Sequence, residues 1–515
     1  MQSLKSILAR IAHFPWYPLV FSAYPVLALL SVNFDQLNPA LAVRPLLVFM
    51  GGSLLVFLLL RALTRDWHRA ALVTLLFEIL FSTYGHVEAL LRSEGLNADP
   101  GRFLIPLWIG LFALTAWLAT RRSLPFSKLT SSLNVVSLVL LVFPVYQISY
   151  FLISEQVPLS RQDDVLTERV VPSPNQALPD VYYIILDSYG RSDLLQQAYG
   201  YDNSEFINAL TGLGFYVASC SQSNYVRTEQ SLASSLNMDY LPAISNIFVP
   251  NDIDRLPLWK LLKRNAVRDM FKRLGYRTVS YATGFSWSEL YDSDSYLAPS
   301  VMGLMPSEFE ALLWQTTFGE ALQELGVMNT KTVPADRDRE RTRFVLDSLE
   351  MEAEQPGPKF VFVHIISPHP PFVFGPAGRP LDPEQFKDEN GNYSAAGYAA
   401  GYQLQLDFIS AQMVAAVRKI IEESPIPPLI IIQGDHAPWF QPKEKSFNIL
   451  NAYYFPGHAD SLYPTVSPVN TFRLIFNQYL GGNFPLLQDS SYFSPIPHIY
   501  DFTFIPNTCT DTMEK

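Results

Sequence analysis

The sequence predicts two structural classes in one chain: an N-terminal bundle of five transmembrane helices, then an α/β domain with a mostly parallel central sheet covered by helices. Three observations carry this expectation. Five long apolar stretches occur before residue 155. Beyond them, short continuous apolar runs alternate with stretches of helical period. Several of those runs stop abruptly on chemistry-bearing residues, as in "IIIQGDHAPW", Ile430 to Trp439. A buried strand has no structural need to end on an acid beside an imidazole, so Asp435 and His436 must be accounted for.

The membrane part comes first. A chain of 515 residues with 49% hydrophobic content is long enough for about three domains. Its mean hydropathy of +0.11 is high for a soluble enzyme, and nearly all the excess lies before residue 155. The stretches are Trp16–Asn33, Pro45–Leu63, Ala70–Leu91, Phe103–Thr120 and Ser132–Ile153. Each approaches the roughly 20 residues that a spanning helix needs. Five in succession argue against buried core helices, and no small-residue cleavage site follows the first. Residues 1–153 are therefore read as a transmembrane domain of the cytoplasmic membrane. With the N-terminus cytoplasmic, the inner side carries Lys5, Arg10, Arg61, Arg65, Arg69, Arg121, Arg122 and Lys128. The outer side carries Arg44, Arg92 and Arg102, an asymmetry that fits the positive-inside rule. Everything after the fifth stretch is then extracytoplasmic.

Charge divides along the same line. The first 154 residues hold 11 Lys/Arg and 6 Asp/Glu, net +5, which leaves −16 for the remainder of a chain at −11 overall. An acidic outer domain lacks the clustered cations that nucleic acid requires, so no nucleic-acid partner is expected. Glu78, midway along the third stretch, is either a functional intramembrane carboxylate or the partner of a polar group on another helix.

Residues 154–179, "SEQVPLSRQDDVLTERVVPSPNQALP", are polar and without period, and read as a linker. From residue 180 to 515 the strands are expected at Val181–Asp187, Gly214–Cys220, Arg277–Ala282, Phe360–Ile366, Pro428–Gly434 and Asn451–Phe455. Helices are expected at Ser204–Leu213, Leu256–Leu274, Arg337–Glu352 and Tyr398–Glu422. Continuous apolar strands interleaved with helices indicate a sheet buried on both faces. Ligands in such folds bind beyond the carboxyl ends of the strands.

The polar residues gather at that edge. The first strand ends on Asp187, another on Asp435 and His436, and a third runs into Ser367-Pro368-His369. Between them lies "SNYVRTEQSLASSLN", in which Thr228 precedes a short helical stretch. Singly, each has an ordinary explanation: a turn, a helix cap for Thr228, a loop histidine for His369. Together, two carboxylates, an imidazole and a hydroxyl form an oxygen and nitrogen set suited to a divalent cation.

The pattern resembles the alkaline phosphatase superfamily, in the branch of sulfatases, lipoteichoic acid synthases and phosphoethanolamine transferases. Gly-Asp-His after an apolar strand, an acid ending the first strand and the "T-x-x-S-L-A-S" segment from Thr228 to Ser234 carry the resemblance. The two transferase families share the plan of five spans, a linker and an extracytoplasmic catalytic domain. The resemblance implies that Asp187, Thr228, Asp435 and His436 bind one divalent metal, Mn, Zn, Mg or Ca. It further implies that Thr228 is the nucleophile and that His369 lies near the transferred group. Coordination by a divalent cation is a recognised way to activate a weak hydroxyl nucleophile.

Departures from the family bear on the substrate. Thr228 stands where sulfatases carry a Cys or Ser that becomes formylglycine, which disfavours ordinary sulfate-ester hydrolysis. The lipid transferases typically have Glu where this chain has Asp187. No His has an Asp four positions upstream, so the motif for a second metal is missing. Arg227 and Arg191 are candidate phosphate donors, with a structural ion pair as the simpler explanation of Arg191. His364 reads as a packed core histidine, and Tyr402, Gln403 and Asp407 as one surface face of a helix. Cys220 and Cys509 both fall on the outer side; two separate thiols are the plainer reading, and a disulfide is the alternative. The resulting expectation is a membrane phosphotransferase acting on a lipid or envelope phosphate ester. A sulfatase-like hydrolase and a non-catalytic membrane scaffold are the alternatives.

Overall fold

The computed structural model describes residues 13–34, 37–94, 100–120, 129–157, 159, 170, 178–300, 306–388 and 391–509. Lys5, Arg10, Arg121, Arg122, Lys128 and most of the linker read at 154–179 lie outside the described residues. The chain divides into two compact units, Met1–Gln156 with Val301–Pro334, and Val157–Ser300 with Ala335–Lys515.

In the first unit all five apolar stretches are helical. Among the described residues three helices are long and apolar enough to cross a membrane: Pro39–Thr64, Trp67–Ser93 and Thr130–Gln156. Tyr17–Asn33 and Gly101–Trp117 are shorter apolar helices. The sequence itself separates the first two long helices. Arg65 takes a left-handed conformation (φ 58°), and the Asp66 side chain caps the next helix by accepting from the His68 and Arg69 amides. Glu78 is buried within this unit.

The segment after residue 305, read from sequence as part of the outer domain, belongs to this membrane unit. Its helices Glu308–Thr316 and Gly319–Glu324 pack on the long helix Trp67–Ser93. Glu310 closes a capping box with Ser307 and pairs with Arg44. Arg92 bridges Glu88 at 2.5 Å and Glu324 at 3.1 Å. Close approach requires Gly85, where a Cβ would stand 1.9 Å from the Gln315 carbonyl oxygen.

The second unit is built on a seven-stranded sheet of order β2-β7-β6-β1-β5-β3-β4. The strands are β1 (Val181–Leu186), β2 (Tyr216–Val217), β3 (Arg277–Tyr281), β4 (Ser295–Leu297), β5 (Lys359–Ile365), β6 (Leu429–Gln433) and β7 (Asn451–Tyr454). From β6 across to β4 all pairs are parallel, while β7 and β2 add an antiparallel edge. Every residue of β1, β5 and β6 is buried. The two faces of β1 feed separate cores. Tyr182, Ile184 and Leu186 pack with residues of helix Ala395–Glu423. Val181, Tyr183 and Ile185 pack with residues of helix Pro468–Tyr479. Each fully buried aliphatic side chain contributes roughly 1.5–3 kcal/mol, which is why this strand reads as an unbroken apolar run.

Several expectations change. The strand read at Gly214–Cys220 contracts to the two-residue β2, because the chain there meets the sheet only at its edge. The helix read at Leu256–Leu274 is two, Leu256–Lys263 and Ala266–Arg273, parted where the Asn265 side chain caps the second by accepting from the Arg268 amide. The short strand β4 and a separate hairpin, β8 (Ser491–Phe493) with β9 (Thr503–Ile505), carried no alternating pattern long enough to be read. Cys220 and Cys509 form a disulfide rather than two thiols, with Cα atoms 5.5 Å apart. Asn507 reinforces it by donating to the Cys220 carbonyl. Denatured protein should therefore show no titratable thiol before reduction and two afterwards. Equal counts would remove the bridge.

Candidate metal centre

Strand register assembles the site. In β1 residue Ile185 lies opposite His364 of β5 and Gln433 of β6. Two residues further along β1, and two beyond Gln433, the chains reach Asp187 and Asp435 at the same carboxyl edge. One ligand atom each from Asp187, His364 and Asp435 lies within 4.8 Å of the others, and all three residues are buried. His436 joins them, its Nε2 standing 3.5 Å from Asp187 Oδ1 and 3.6 Å from Asp435 Oδ2.

His364 is thus a correction to the sequence reading. It is buried, as a core histidine would be, but its Nε2 meets Asp187 Oδ2 at 3.1 Å. The signal was present as a lone polar residue in the apolar run "FVFVHII". Only the pairing of β5 with β1 shows which residue it faces.

The backbone around these groups is held closely. Ser188 adopts a left-handed conformation (φ 63°), uncommon for a residue with a Cβ. Its amide donates to Asp435 Oδ1 at 2.9 Å, and its hydroxyl lies 3.2 Å from His436 Nδ1. Gly434 is required by contact, since a Cβ there would stand 2.3 Å from the Tyr189 carbonyl oxygen. Tyr402 is fully buried instead of surface-exposed, and its hydroxyl donates to the Ser188 carbonyl while accepting from the Gly190 amide. Gln403 donates to the Tyr199 carbonyl, and Asp407 accepts from the Tyr201 hydroxyl. These partners lie far away in sequence, so a helical-face reading could not find them.

The remaining candidates have defined places. The His369 amide donates to the Asp187 carbonyl oxygen, and its half-buried ring makes edge contacts with His436 and Trp439. Gln405 fixes this loop by donating to the His369 carbonyl and accepting from the Val373 amide. Thr228 is the first residue of helix Thr228–Ser235, whose N-cap is Arg227 and not Thr228. The cap role considered for Thr228 therefore falls away. Arg227 donates to the Ser494 carbonyl and hydroxyl. Arg191 forms a bidentate pair with Asp193 and donates to the Ser221 carbonyl, the structural ion pair that its context allowed.

Electrostatics bind the cluster together. Burial alone would raise the Asp187 carboxyl, but the His369, His364 and His436 rings and the His364 hydrogen bond outweigh it and hold it well below the usual carboxylate range. Burial alone would lower the His436 imidazole; Asp435, Asp187, the Ala437 carbonyl and Glu229 outweigh it and raise its pKa above the ordinary value.

Asp187 Oδ1, Asp435 Oδ2 and His364 Nδ1 are buried without a hydrogen-bond partner. An unsatisfied buried polar atom costs about 1–3 kcal/mol, and more when charged. Carboxylate oxygens left in this state, facing two imidazoles, fit a bound divalent cation in donor type and number.

No protein-family model and no curated protein matches the chain. Among solved structures it is similar to the C-terminal periplasmic domain of EcEptC from Escherichia coli in complex with Zn, at 11% identity and TM-score 0.42, covering 67% of this chain and 96% of that one. It is also similar to lipooligosaccharide phosphoethanolamine transferase A (EptA) from Neisseria meningitidis, at 12% identity and TM-score 0.41, covering 92% and 95%. A third is a protein of the alkaline phosphatase superfamily from Vibrio parahaemolyticus, at 13% identity and TM-score 0.34, covering 68% and 81%.

Two outcomes are expected of the full-length protein in detergent. Asp435→Ala should abolish stoichiometric divalent-metal binding with the fold retained, as read by metal analysis and circular dichroism. Unchanged stoichiometry would remove Asp435 from the ligand set. The raised His436 must also lose its proton to ligate, so apparent metal affinity should fall about tenfold per pH unit on acidification below the His436 pKa. A flat profile between pH 5 and 8 would show that His436 is not a ligand.

Proposed function

We propose that the chain is an integral membrane, metal-dependent phosphotransferase that moves a phosphate-ester head group from a lipid or cell-envelope donor through a phospho-threonine intermediate. The observation that carries this reading is the convergence of Asp187, His364, Asp435 and His436 at one sheet edge, with buried carboxylate oxygens left without hydrogen bonds. We assign Asp187, Asp435, His436 and Thr228 as metal ligands and add His364 to the set. When bound, the cation neutralises charge on the phosphoryl oxygens and favours the alkoxide form of the nucleophile.

The residues of the chain supply the rest. The Thr228 hydroxyl releases its proton to solvent as its oxygen attacks phosphorus, the bond from phosphorus to the donor alcohol breaks, and the electron pair leaves with the donor oxygen. His369 gives the departing alkoxide a proton. An acceptor hydroxyl, or water in a hydrolase, then passes its proton to His369 as its oxygen attacks the phospho-threonine; the bond from phosphorus to the Thr228 oxygen breaks, and that oxygen takes a proton from solvent. Arg227 is a further candidate to pair with the phosphate.

We further infer five spans with a cytoplasmic N-terminus and an extracytoplasmic catalytic domain in residues 180–300 and 335–515, with the segment between them packed on the membrane helices. The pairs Arg44–Glu310 and Arg92–Glu324 support this topology. It sets both arginines at outer helix ends, and it sets the segment carrying both glutamates on the same side.

Thr228→Ala should leave expression and melting temperature nearly unchanged while head-group transfer falls by several orders of magnitude. Thr228→Ser should keep part of the activity, because it preserves the oxygen. Label from a radioactive phospholipid donor should appear on the peptide containing Thr228. Normal turnover in the Ala variant would end the covalent mechanism and favour direct attack by water.

A further inference from the structure

A second feature of the membrane unit lies outside the metal centre. Between the N-terminal end of helix Val43–Thr64 and helix Glu308–Thr316 there is a cavity of about 350 Å³. That volume lies within the roughly 300–1,000 Å³ of small-molecule sites. Its walls are mostly apolar, among them Val48, Phe49, Leu313 and Met328, with Arg44, Glu310, Trp314, Thr317 and Thr330 as polar members.

We propose that this groove binds one acyl chain of a membrane phospholipid, with an ester or phosphate oxygen of the same lipid accepting a hydrogen bond from the Trp314 indole. Three observations select this occupant. Val48 lines the groove and is 63% exposed, and Leu47, Leu54, Leu55 and Leu58 continue an exposed apolar surface along the same spanning helix. The groove therefore opens onto the hydrocarbon phase. Trp314 Nε1 is buried without a hydrogen-bond partner although its ring lines the cavity. An indole donor without a partner, on a wall that is mostly apolar, suits a molecule that is apolar along most of its length and carries an oxygen at one end. Arg44, in the first turn of the spanning helix and held by Glu310, sets this end of the groove at the depth where head groups lie.

The site is built by the sequence. Gly319 lets the indole lie flat, since a Cβ there would stand 2.5 Å from the Trp314 ring. The Phe318 amide donates to the Phe81 carbonyl at 2.7 Å, which pins the segment to the neighbouring spanning helix. The bound lipid would be a fixed structural component beside the spans and not the substrate of the metal centre.

The test uses full-length protein in detergent, delipidated, titrated with dioleoylphosphatidylglycerol and read by native mass spectrometry. Wild type should show one saturable lipid adduct. Leu313→Trp, which fills the groove, and Val48→Trp, which blocks it from the exposed opposite wall, should each weaken apparent Kd at least about tenfold. Trp314→Phe keeps the ring and removes the donor, and should weaken binding about fivefold, the effect of one hydrogen bond. Leu138→Trp, exposed on another spanning helix, should change nothing. Absence of a saturable adduct in wild type would overturn the proposal, as would equal binding by Val48→Trp or equal loss in Leu138→Trp. If Leu313→Trp fails to fold, Val48→Trp decides alone. Turnover is not read, so this result stands or falls apart from the catalytic reading.

Discussion

The pairing of β1 with β5 on one side and β6 on the other is the constraint from which the site follows. All six residues of β1 are buried, so a slip in register would displace its whole pattern of side chains from both cores. Hydrophobic packing along β1 thereby fixes the three strand ends with respect to one another. Asp187, His364, Asp435 and His436 meet because the aliphatic residues before them leave no other alignment.

The polar groups at that edge are held against their own solvation preferences. Two acids and two imidazoles share a buried volume, and some of their atoms have no hydrogen-bond partner. The fold maintains this with a surrounding set of committed contacts. Tyr402 grips the Ser188 turn from helix Ala395–Glu423, Gln405 grips the His369 loop from the same helix, and Gly434 admits the Tyr189 carbonyl. One long helix thus fixes two of the loops that carry the candidate residues. A candidate ligand set held in this way keeps its geometry without needing a cation to organise it.

The membrane unit shows a different economy. Its apolar helices meet a segment that arrives from far along the chain and is held by charge pairs at its ends and glycine contacts between them. Arg92 joins Glu88 and Glu324, and Arg44 joins Glu310, so ionic contacts act where the spanning helices end. Half-exposed pairs of this kind contribute about 0–1 kcal/mol each, and backbone contacts such as Phe318 to Phe81 share in holding the segment.

Local pattern was enough for whatever depends on a residue and its near neighbours. Apolar stretches marked the membrane helices, unbroken apolar runs marked β1, β5 and β6, and Gly-Asp-His marked the end of β6. Asp187, Asp435 and His436 were legible because polar residues that end apolar runs stand out against them. His364 and Tyr402 were misread because each is flanked by residues of its own element, and only a distant strand or turn gives it a partner. The disulfide from Cys220 to Cys509, spanning 289 positions, and the placing of the 306–334 segment with the membrane helices were likewise decided in three dimensions. Periodicity reports which face of an element is apolar. It carries no information about which remote element covers that face, and that choice is made by packing and by the pairing of buried polar groups.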